Sequence, residues 1–277
     1  MSTATTRGTD VPARPRPRLI ATDLDGTLLH DDGTVTPRTA RALAGLARAG
    51  IELVLVTARP PRWVHHLDCL PEHGVVICAN GALVYDVARS AVLEYRALSG
   101  DVVRAVVADV RRVLPDSAFA AERPSGFATE HGYRGHHPVP DDVVRAERIE
   151  DVLDDATVKL LVRSPATPDE QVHARVAEVL DGRAIVLDSG ASGLAEVQHP
   201  AVSKAAALER WAAEHGIAAG EVWAFGDMPN DLPMLAWAGR GFAVANAHPA
   251  VRAAADEVCG TNCDDGVAAV LETLLVG

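Results

Sequence analysis

The chain has 277 residues, of which 48% are hydrophobic and 23% charged, so it can bury one large core or two modest ones. Its formal net charge of −12 argues against nucleic acid or an anionic membrane as the main partner. No apolar stretch approaches the roughly 20 residues that a membrane helix needs. The four cysteines show neither the density of a disulfide scaffold nor a zinc-site spacing, which indicates reduced thiols and a cytoplasmic protein.

The N-terminal part predicts a tail, a strand and a helix. Residues 1–17 carry arginines and prolines but no apolar signal segment, so we predict a flexible tail. The apolar run 19–22 predicts a buried strand, and the polar stretch 29–35 predicts a β-hairpin flap beside its end. Thr36 is a suitable N-cap for the helix that we predict over residues 37–49.

The next elements continue the alternation of strand and helix. Apolar runs at 51–56 and 75–79 predict two further strands, and Pro60 and Pro61 open a predicted helix that extends to about residue 70. Strands that are apolar throughout and alternate with helices are typical of a parallel sheet covered on both faces. In such a sheet the ligand binds at the carboxyl ends of the strands.

The pattern changes between residues 85 and 193. The readable elements are a helix followed by a strand-helix-strand unit, over residues 99–114, 158–162, 169–180 and 184–187, and the interval 123–147 is predicted to be rich in loops. This order favours a separate α+β domain inserted into the first. We therefore predict an α/β fold with a Rossmann-like parallel core, residues 18–84 and 194–277, and an inserted α+β cap, residues 85–193.

Two acidic motifs follow apolar strands far apart in the chain. The first is Asp23-Leu24-Asp25-Gly26-Thr27-Leu28, and the second runs from Gly226-Asp227 to Asn230-Asp231. Asp-Gly pairs are common in turns, so either motif alone could be a loop or a helix cap. Together they suit phosphoryl transfer, because one carboxylate can attack phosphorus while its neighbours hold a hard cation such as Mg²⁺.

With these motifs in this order, the chain resembles the haloacid dehalogenase superfamily of phosphohydrolases, specifically its Cof-type branch with a large α+β cap. The resemblance rests also on Thr57-Ala58-Arg59 and Ser203-Lys204, and it covers residues 18–275. It departs from the branch pattern at Ala58, at Ala201 and at Val244-Ala245-Asn246-Ala247. The resemblance implies a Mg²⁺-dependent phosphatase that acts on a small phosphorylated metabolite, such as a sugar phosphate, as a monomer or small homo-oligomer.

The resemblance also implies residue roles. Asp23 would be the nucleophile, Asp25 the general acid and base, and Asp23, Asp25 (through its backbone carbonyl) and Asp227 the metal ligands. Thr57 and Lys204 would complete the catalytic set. Phosphate or substrate would contact a further group of residues, namely Ala58, Asn80, Gly81, Lys204 and Asn230. Asn80 and Gly81 could equally form a turn, and Asn230 or Asp231 could coordinate or orient the cation.

Alternatives remain open from the sequence alone. A phosphomutase would use the same aspartate and return the phosphoryl group to the sugar, whereas a non-catalytic sensor would bind a phospholigand without turnover. Five cap residues could line the site or belong to a solvated loop: Glu122, Arg123, His131, Tyr133 and Arg134. The sequence lacks a Walker P-loop, a zinc-hydrolase His pair and a serine-nucleophile elbow, which argues against those enzyme classes.

Overall fold

A computed structural model of the chain describes residues 16–64, 67, 74–135, 139, 141–187 and 192–275. Most of the predicted tail lies outside these residues. Within its described end, the Arg16 guanidinium donates a hydrogen bond to the carbonyl oxygen of Leu274 at 2.8 Å. No described helix is long and apolar enough to cross a membrane.

Fourteen strands and seven helices make up the described part of the chain. The strands are β1 Leu19–Thr22, β2 Glu52–Val56, β3 Val75–Cys78, β4 Leu83–Asp86, β5 Ala91–Tyr95, β6 Ala118–Arg123, β7 Gly126–Glu130, β8 Val144–Ala146, β9 Lys159–Arg163, β10 Ile185–Leu187, β11 Ala195–Gln198, β12 Val222–Gly226, β13 Arg240–Ala243 and β14 Glu257–Val258. The helices are α1 Pro37–Arg48, α2 Gly100–Val113, α3 Asp169–Glu178, α4 Lys204–Glu214, α5 Leu232–Trp237, α6 Pro249–Ala254 and α7 Gly266–Leu275.

The larger sheet has eight strands in the order β14-β13-β12-β1-β2-β3-β4-β5. Its pairs are parallel from β14 to β3, and β4 and β5 add an antiparallel hairpin at the β3 edge. Strand β1 lies between β2 and β12, with Thr22 opposite Leu55 and Phe225. The carboxyl ends of these three strands therefore meet, which brings the two acidic motifs together.

Helices cover the larger sheet, as expected for strands that are apolar throughout. Helix α1 packs against α7, and α4 packs against α5. The predicted N-cap Thr36 is confirmed, because its hydroxyl oxygen accepts a hydrogen bond from the backbone N–H of Thr39. Ser203 caps α4 in the same way, by accepting from the backbone N–H of Ala206. Leu19, Val54 and Phe225 are fully buried in the resulting core.

The smaller sheet has six strands in the order β10-β11-β9-β6-β7-β8. Helices α2 and α3 pack together and, with the sheet, enclose a second core that contains Val106, Phe119 and Leu160. A separate apolar cluster contains Ala120, Phe127 and Leu161. Side chains alternate between the faces of a strand, so Phe119 and Ala120 point to opposite faces of this sheet.

The sheets differ from the predicted domain boundaries at both ends of the insert. Strands β4 and β5 belong to the larger sheet, so residues 85–95 extend the core rather than begin the cap. Strand β11 was assigned to the core but pairs with β9 and β10 in the smaller sheet. The added core strands are antiparallel, and the alternation of strand and helix that signals a parallel sheet cannot show them.

Three local predictions also differ. The interval 123–147 contains strands β7 and β8 instead of loops alone. The flap at 29–35 is a turn closed by the hydrogen bond from the His30 N–H to the Thr34 carbonyl at 2.9 Å, without strands of its own. A 3₁₀ turn, Pro61–Trp63, stands where a helix was predicted, and most of residues 65–73 lie outside the described residues.

Candidate active site

The site lies in a cavity of about 510 Å³ between the two sheets. One end is formed by the acidic motifs at the carboxyl ends of β1 and β12, and includes Asp23, Asp25 and Asp227. The other end is formed by residues of the smaller sheet, among them Glu122 and Lys159. The placement at strand ends is the one that the parallel pattern predicts.

Lys204 is held between two carboxylates. Its ammonium donates hydrogen bonds to Asp23 Oδ1 at 2.6 Å and to Asp231 Oδ1 at 2.7 Å. It is the first residue of α4, where the helix dipole disfavours a cation, and only 2% of its surface is exposed. The two carboxylates outweigh both burial and the dipole, and together they raise the pKa of Lys204, which therefore remains an ammonium.

Three buried acids form a cluster around one point. Carboxylate oxygens of Asp23, Asp227 and Asp231 lie within 4.8 Å of one another. The Thr27 hydroxyl donates to Asp227 Oδ1 at 2.9 Å, and Asp231 Oδ2 accepts from the backbone N–H groups of Asp227 and Met228. These bonds fix Asp227 and Asp231 in orientation.

The electrostatics of the cluster fit a divalent cation. Burial raises the pKa of Asp23 well above its usual value, against the effect of Lys204, and the nearby Asp231 and Asp227 raise it further. Burial and the Asp231 carboxylate raise the pKa of Asp227 to about 6. Three carboxylates face one ammonium, so part of their negative charge is left uncompensated. Their oxygens are also the ligands that Mg²⁺ prefers.

Asp25 lies apart from the three clustered acids. Its carboxylate accepts two hydrogen bonds from Arg59, from Nε at 2.8 Å and from Nη2 at 2.5 Å. Its side chain is 55% exposed and it lines the cavity. Arg59 belongs to the Thr57-Ala58-Arg59 motif, but nothing in the sequence indicated its bidentate contact with Asp25.

The predicted phosphate-binding residues fall into two groups. Ala58 and Asn230 line the cavity, whereas Thr57, Asn80 and Gly81 are not among its lining residues. The Thr57 hydroxyl oxygen accepts a hydrogen bond from the Arg59 N–H at 3.0 Å, which shapes the turn after β2.

Asn80 and Gly81 lie behind the cavity wall and pack against residues that form it. Asn80 adopts a left-handed backbone with φ of 58°, donates to Glu196 and Gln198, and accepts from Asn230 Nδ2 at 3.2 Å. A Cβ on Gly81 would lie 2.2 Å from the Ser203 carbonyl oxygen, so only glycine allows the start of α4 to pack here. This placement indicates the turn role that the sequence left open for both residues.

The five cap candidates also divide. Glu122 and Tyr133 line the cavity, whereas Arg123, His131 and Arg134 are not among its lining residues. Three further cations line the cavity without having been predicted from the sequence, namely Arg62, Lys159 and Arg163. Arg62 is the middle residue of the 3₁₀ turn, and Lys159 and Arg163 are the two ends of β9, positions where a lone cation is usually a solvated surface residue.

Comparison with known proteins gives a consistent result. Residues 20–271 match the family model described as haloacid dehalogenase-like hydrolase. The chain is 27% identical over 274 residues to the pyridoxal phosphate phosphatase YbhA of Escherichia coli, covering 94% of this chain and 99% of that protein. It is 26% identical over 260 residues to the 5-amino-6-(5-phospho-D-ribitylamino)uracil phosphatase YcsE of Bacillus subtilis, covering 91% and 93%.

A solved structure is similar over nearly the whole chain. It is that of a phosphatase of the haloalkanoate enzyme superfamily from Bacteroides thetaiotaomicron, with a TM-score of 0.79 and 25% identity. The match covers 96% of this chain and 99% of that one. Both sheets are therefore included in the similarity.

Proposed function

The chain belongs to the haloacid dehalogenase-like hydrolase family and is a phosphomonoester hydrolase, and from this premise we propose how it acts. It removes phosphate from a small phosphorylated metabolite through an aspartyl-phosphate on Asp23, with Mg²⁺ as its cofactor. The observation that carries this proposal is the contact of Asp23 with Lys204 inside the three-acid cluster, at the bottom of a cavity that two sheets enclose.

Asp23 forms the new bond in the first step. One carboxylate oxygen attacks phosphorus as the bond from phosphorus to the ester oxygen breaks, and the Asp25 carboxyl group gives a proton to that departing oxygen. Lys204 offsets the negative charge of the nucleophile and of the transferred group. A cation held by Asp23, Asp227 and the Asp25 backbone carbonyl, with Asp231 beside it, would supply further charge neutralisation when bound.

Water completes the reaction in the second step. It attacks the phosphorus of the aspartyl-phosphate, the acyl phosphate bond breaks, and Asp23 is regenerated as phosphate leaves. The Asp25 carboxylate, which Arg59 stabilises by two hydrogen bonds, takes the proton from that water. The backbone N–H of Ala58, which lines the cavity, assists by holding a phosphoryl oxygen, and the Thr57 hydroxyl fixes the turn that presents it.

The relatives support the substrate class. Two of them are named for phosphate esters of small heterocyclic compounds, pyridoxal phosphate and a phosphoribitylamino uracil. This supports a small phosphorylated metabolite for the present chain and does not favour sugar phosphates within that class. The expectations of a cytoplasmic location and of a monomer or small oligomer stay predictions.

The test is the release of phosphate from 4-nitrophenyl phosphate with Mg²⁺, by wild type and by Asp23→Asn. The substitution keeps the shape of the side chain but removes the attacking oxygen, so we expect turnover to fall by at least about a thousandfold. Asp101→Asn, an exposed acid on α2, is the matched control and should retain wild-type turnover. Asp23→Asn with more than a tenth of wild-type activity would contradict the covalent mechanism.

The same assay separates the alternatives. A phosphomutase would interconvert sugar phosphate isomers without releasing phosphate, and a sensor would bind a phosphorylated ligand without turnover. Both outcomes would overturn the proposed function.

A further inference from the structure

The cap end of the cavity has an apolar wall. Phe127 and Leu161 line it from β7 and β9, and both belong to the apolar cluster on this face of the smaller sheet. Tyr133, Val139 and Leu194 pack against that cluster, line the same cavity and are only half-buried. Apolar surface that stays partly open inside a cavity indicates a ligand whose body is apolar.

Two aromatic rings, one from each side of the cavity, contact the same guanidinium. The central carbon of the Arg62 guanidinium lies 4.5 Å from the centre of the Trp63 ring and 4.6 Å from that of the Phe127 ring. Its Nε and Nη2 donate to the Glu122 carboxylate at 3.3 Å and 2.5 Å. Because Glu122 balances the charge of Arg62, this part of the lining contributes two aromatic rings and a neutralised ion pair.

The other ionisable side chains in the described lining of the cap end are paired with one another. Lys159 donates to Glu196 at 2.8 Å and to the Ala58 carbonyl oxygen at 3.0 Å, and the side chains of this ion pair are only 4% and 7% exposed. Burial raises the pKa of Tyr133 to about 12, so its phenol remains neutral, and Arg163 hydrogen-bonds it. The hydroxyl groups of a polyol would leave water for polar groups that already have partners, which costs free energy.

We propose that the leaving group carries an apolar ring, so that the substrate is a phosphate monoester of a ring-bearing alcohol rather than of a polyol. The inference rests on the proposed function, because it concerns the leaving group of the same reaction. The ester phosphate would lie at Asp23, and the ring would contact Trp63, Phe127 and Leu194. These contacts remove apolar surface of both partners from water.

The test compares benzyl phosphate with glucose 6-phosphate. Both are esters of a primary alcohol attached to a six-membered ring, and they differ chiefly in the hydroxyl groups of that ring. For the wild type, we expect kcat/KM to be at least about tenfold higher for benzyl phosphate, because its ring gains from burial against the apolar wall. The ratio of the two kcat/KM values is the readout, since a general loss of activity would not change it.

Two variants alter the wall on different sides of the cavity. Leu194→Asn exchanges an apolar side chain for an amide of similar size, so the preference for benzyl phosphate should fall at least about threefold. Trp63→Ala removes a ring, so kcat/KM should fall at least about fivefold for benzyl phosphate and stay within about twofold for glucose 6-phosphate. Leu93→Asn is the matched control, because Leu93 is 47% exposed on β5 and is not among the lining residues.

The control should keep the wild-type ratio, and thermal unfolding verifies that each variant is folded; if one wall variant does not fold, the other decides. A wild type that hydrolyses glucose 6-phosphate as well as benzyl phosphate would overturn the inference, as would a folded wall variant that keeps the wild-type ratio. In both cases phosphate release still upholds the proposed function. Failure of both esters and of 4-nitrophenyl phosphate to release phosphate would overturn the proposed function and this inference together.

Discussion

At the scale of single residues, the two lysines of the chain share one location, the wall of the cavity. They are the only lysines among 26 basic residues, and both line the cavity. Lys204 bridges Asp23 and Asp231, and Lys159 bridges Glu196 and the Ala58 carbonyl oxygen at 3.0 Å. Each ammonium bridges two oxygens, a contact that suits the compact head group of a lysine.

Gly26 also matters at this scale, because it has no side chain beside Asp227. Its φ is +77°, and a Cβ built on it would lie 2.5 Å from Asp227 Oδ2. The first acidic motif can therefore approach the second only because this residue has no side chain.

We predict that Gly26→Ala displaces the Asp227 carboxylate and lowers kcat/KM by at least about tenfold, which is a loss of about 1.4 kcal/mol in transition-state stabilisation. Gly33→Ala is the matched control. Gly33 has a similar φ of +81° but no atom within 4 Å of its built Cβ. Both variants share the cost of a left-handed alanine, about 1–2 kcal/mol of stability, and only Gly26→Ala adds the clash. Equal activity of the two variants would show that the approach of Gly26 does not position Asp227.

At the scale of elements, β11 joins the two sheets. It pairs within the smaller sheet, but its last residue, Gln198, donates from Nε2 at 2.8 Å to the carbonyl oxygen of Ala79, which directly follows β3 of the larger sheet. The same nitrogen donates to the Val158 carbonyl oxygen at 3.1 Å, and Glu196 of β11 accepts from Asn80. These buried contacts fix the cap relative to the strand ends that carry the acids.

We predict that Gln198→Leu lowers the free energy of unfolding by about 1–3 kcal/mol, because two buried carbonyl groups lose their donor. The readout is urea unfolding, with kcat/KM measured on the same samples to detect a shifted cap. Gln171→Leu, at an exposed position of α3, is the control and should stay within about 0.5 kcal/mol of wild type. If both variants unfold alike, the contacts of Gln198 do not hold the two sheets together.

At the scale of the whole molecule, the acid cluster links folding, pH and cation binding. Asp227 has a pKa of about 6 in the folded chain against 3.8 as its usual value. A group whose pKa is raised by folding stabilises the fold below the unfolded value and loses that contribution as pH rises through the folded value. The cation-free protein therefore loses this contribution between about pH 4 and pH 6, and Asp23 adds to the loss in the same direction.

We predict that Mg²⁺ stabilises the protein more at pH 7.5 than at pH 5, because the cation must displace protons from the cluster at the lower pH. At a hundred times its Kd it should add about 2.7 kcal/mol to the free energy of unfolding. Thermal unfolding with Mg²⁺ and with chelator at both pH values measures the difference. Asp227→Asn should abolish the Mg²⁺ effect, and an effect equal at both pH values would contradict the role of the cluster.

The sequence predicted the chemistry of the site better than its surroundings. Asp23 and Asp227 could be placed because each directly follows an apolar strand, and strand ends of a parallel sheet meet at one edge. The contact of Asp25 with Arg59 could not be predicted, because a bidentate pair depends on the turn that brings the two side chains together. Arg163 gave no signal either, since its place in the cavity wall depends on how β9 pairs within the smaller sheet.

By itself, the sequence determined the local features of this protein: the apolar strands, the capped helices and the acids that follow β1 and β12, all of which depend on neighbours along the chain. Only the tertiary structure decided that β4 and β5 extend the larger sheet, that β11 joins the smaller one, and that Lys204 lies between Asp23 and Asp231. Strand partners and buried charge pairs are set by contacts between residues far apart in sequence, and such contacts leave no periodicity in the chain.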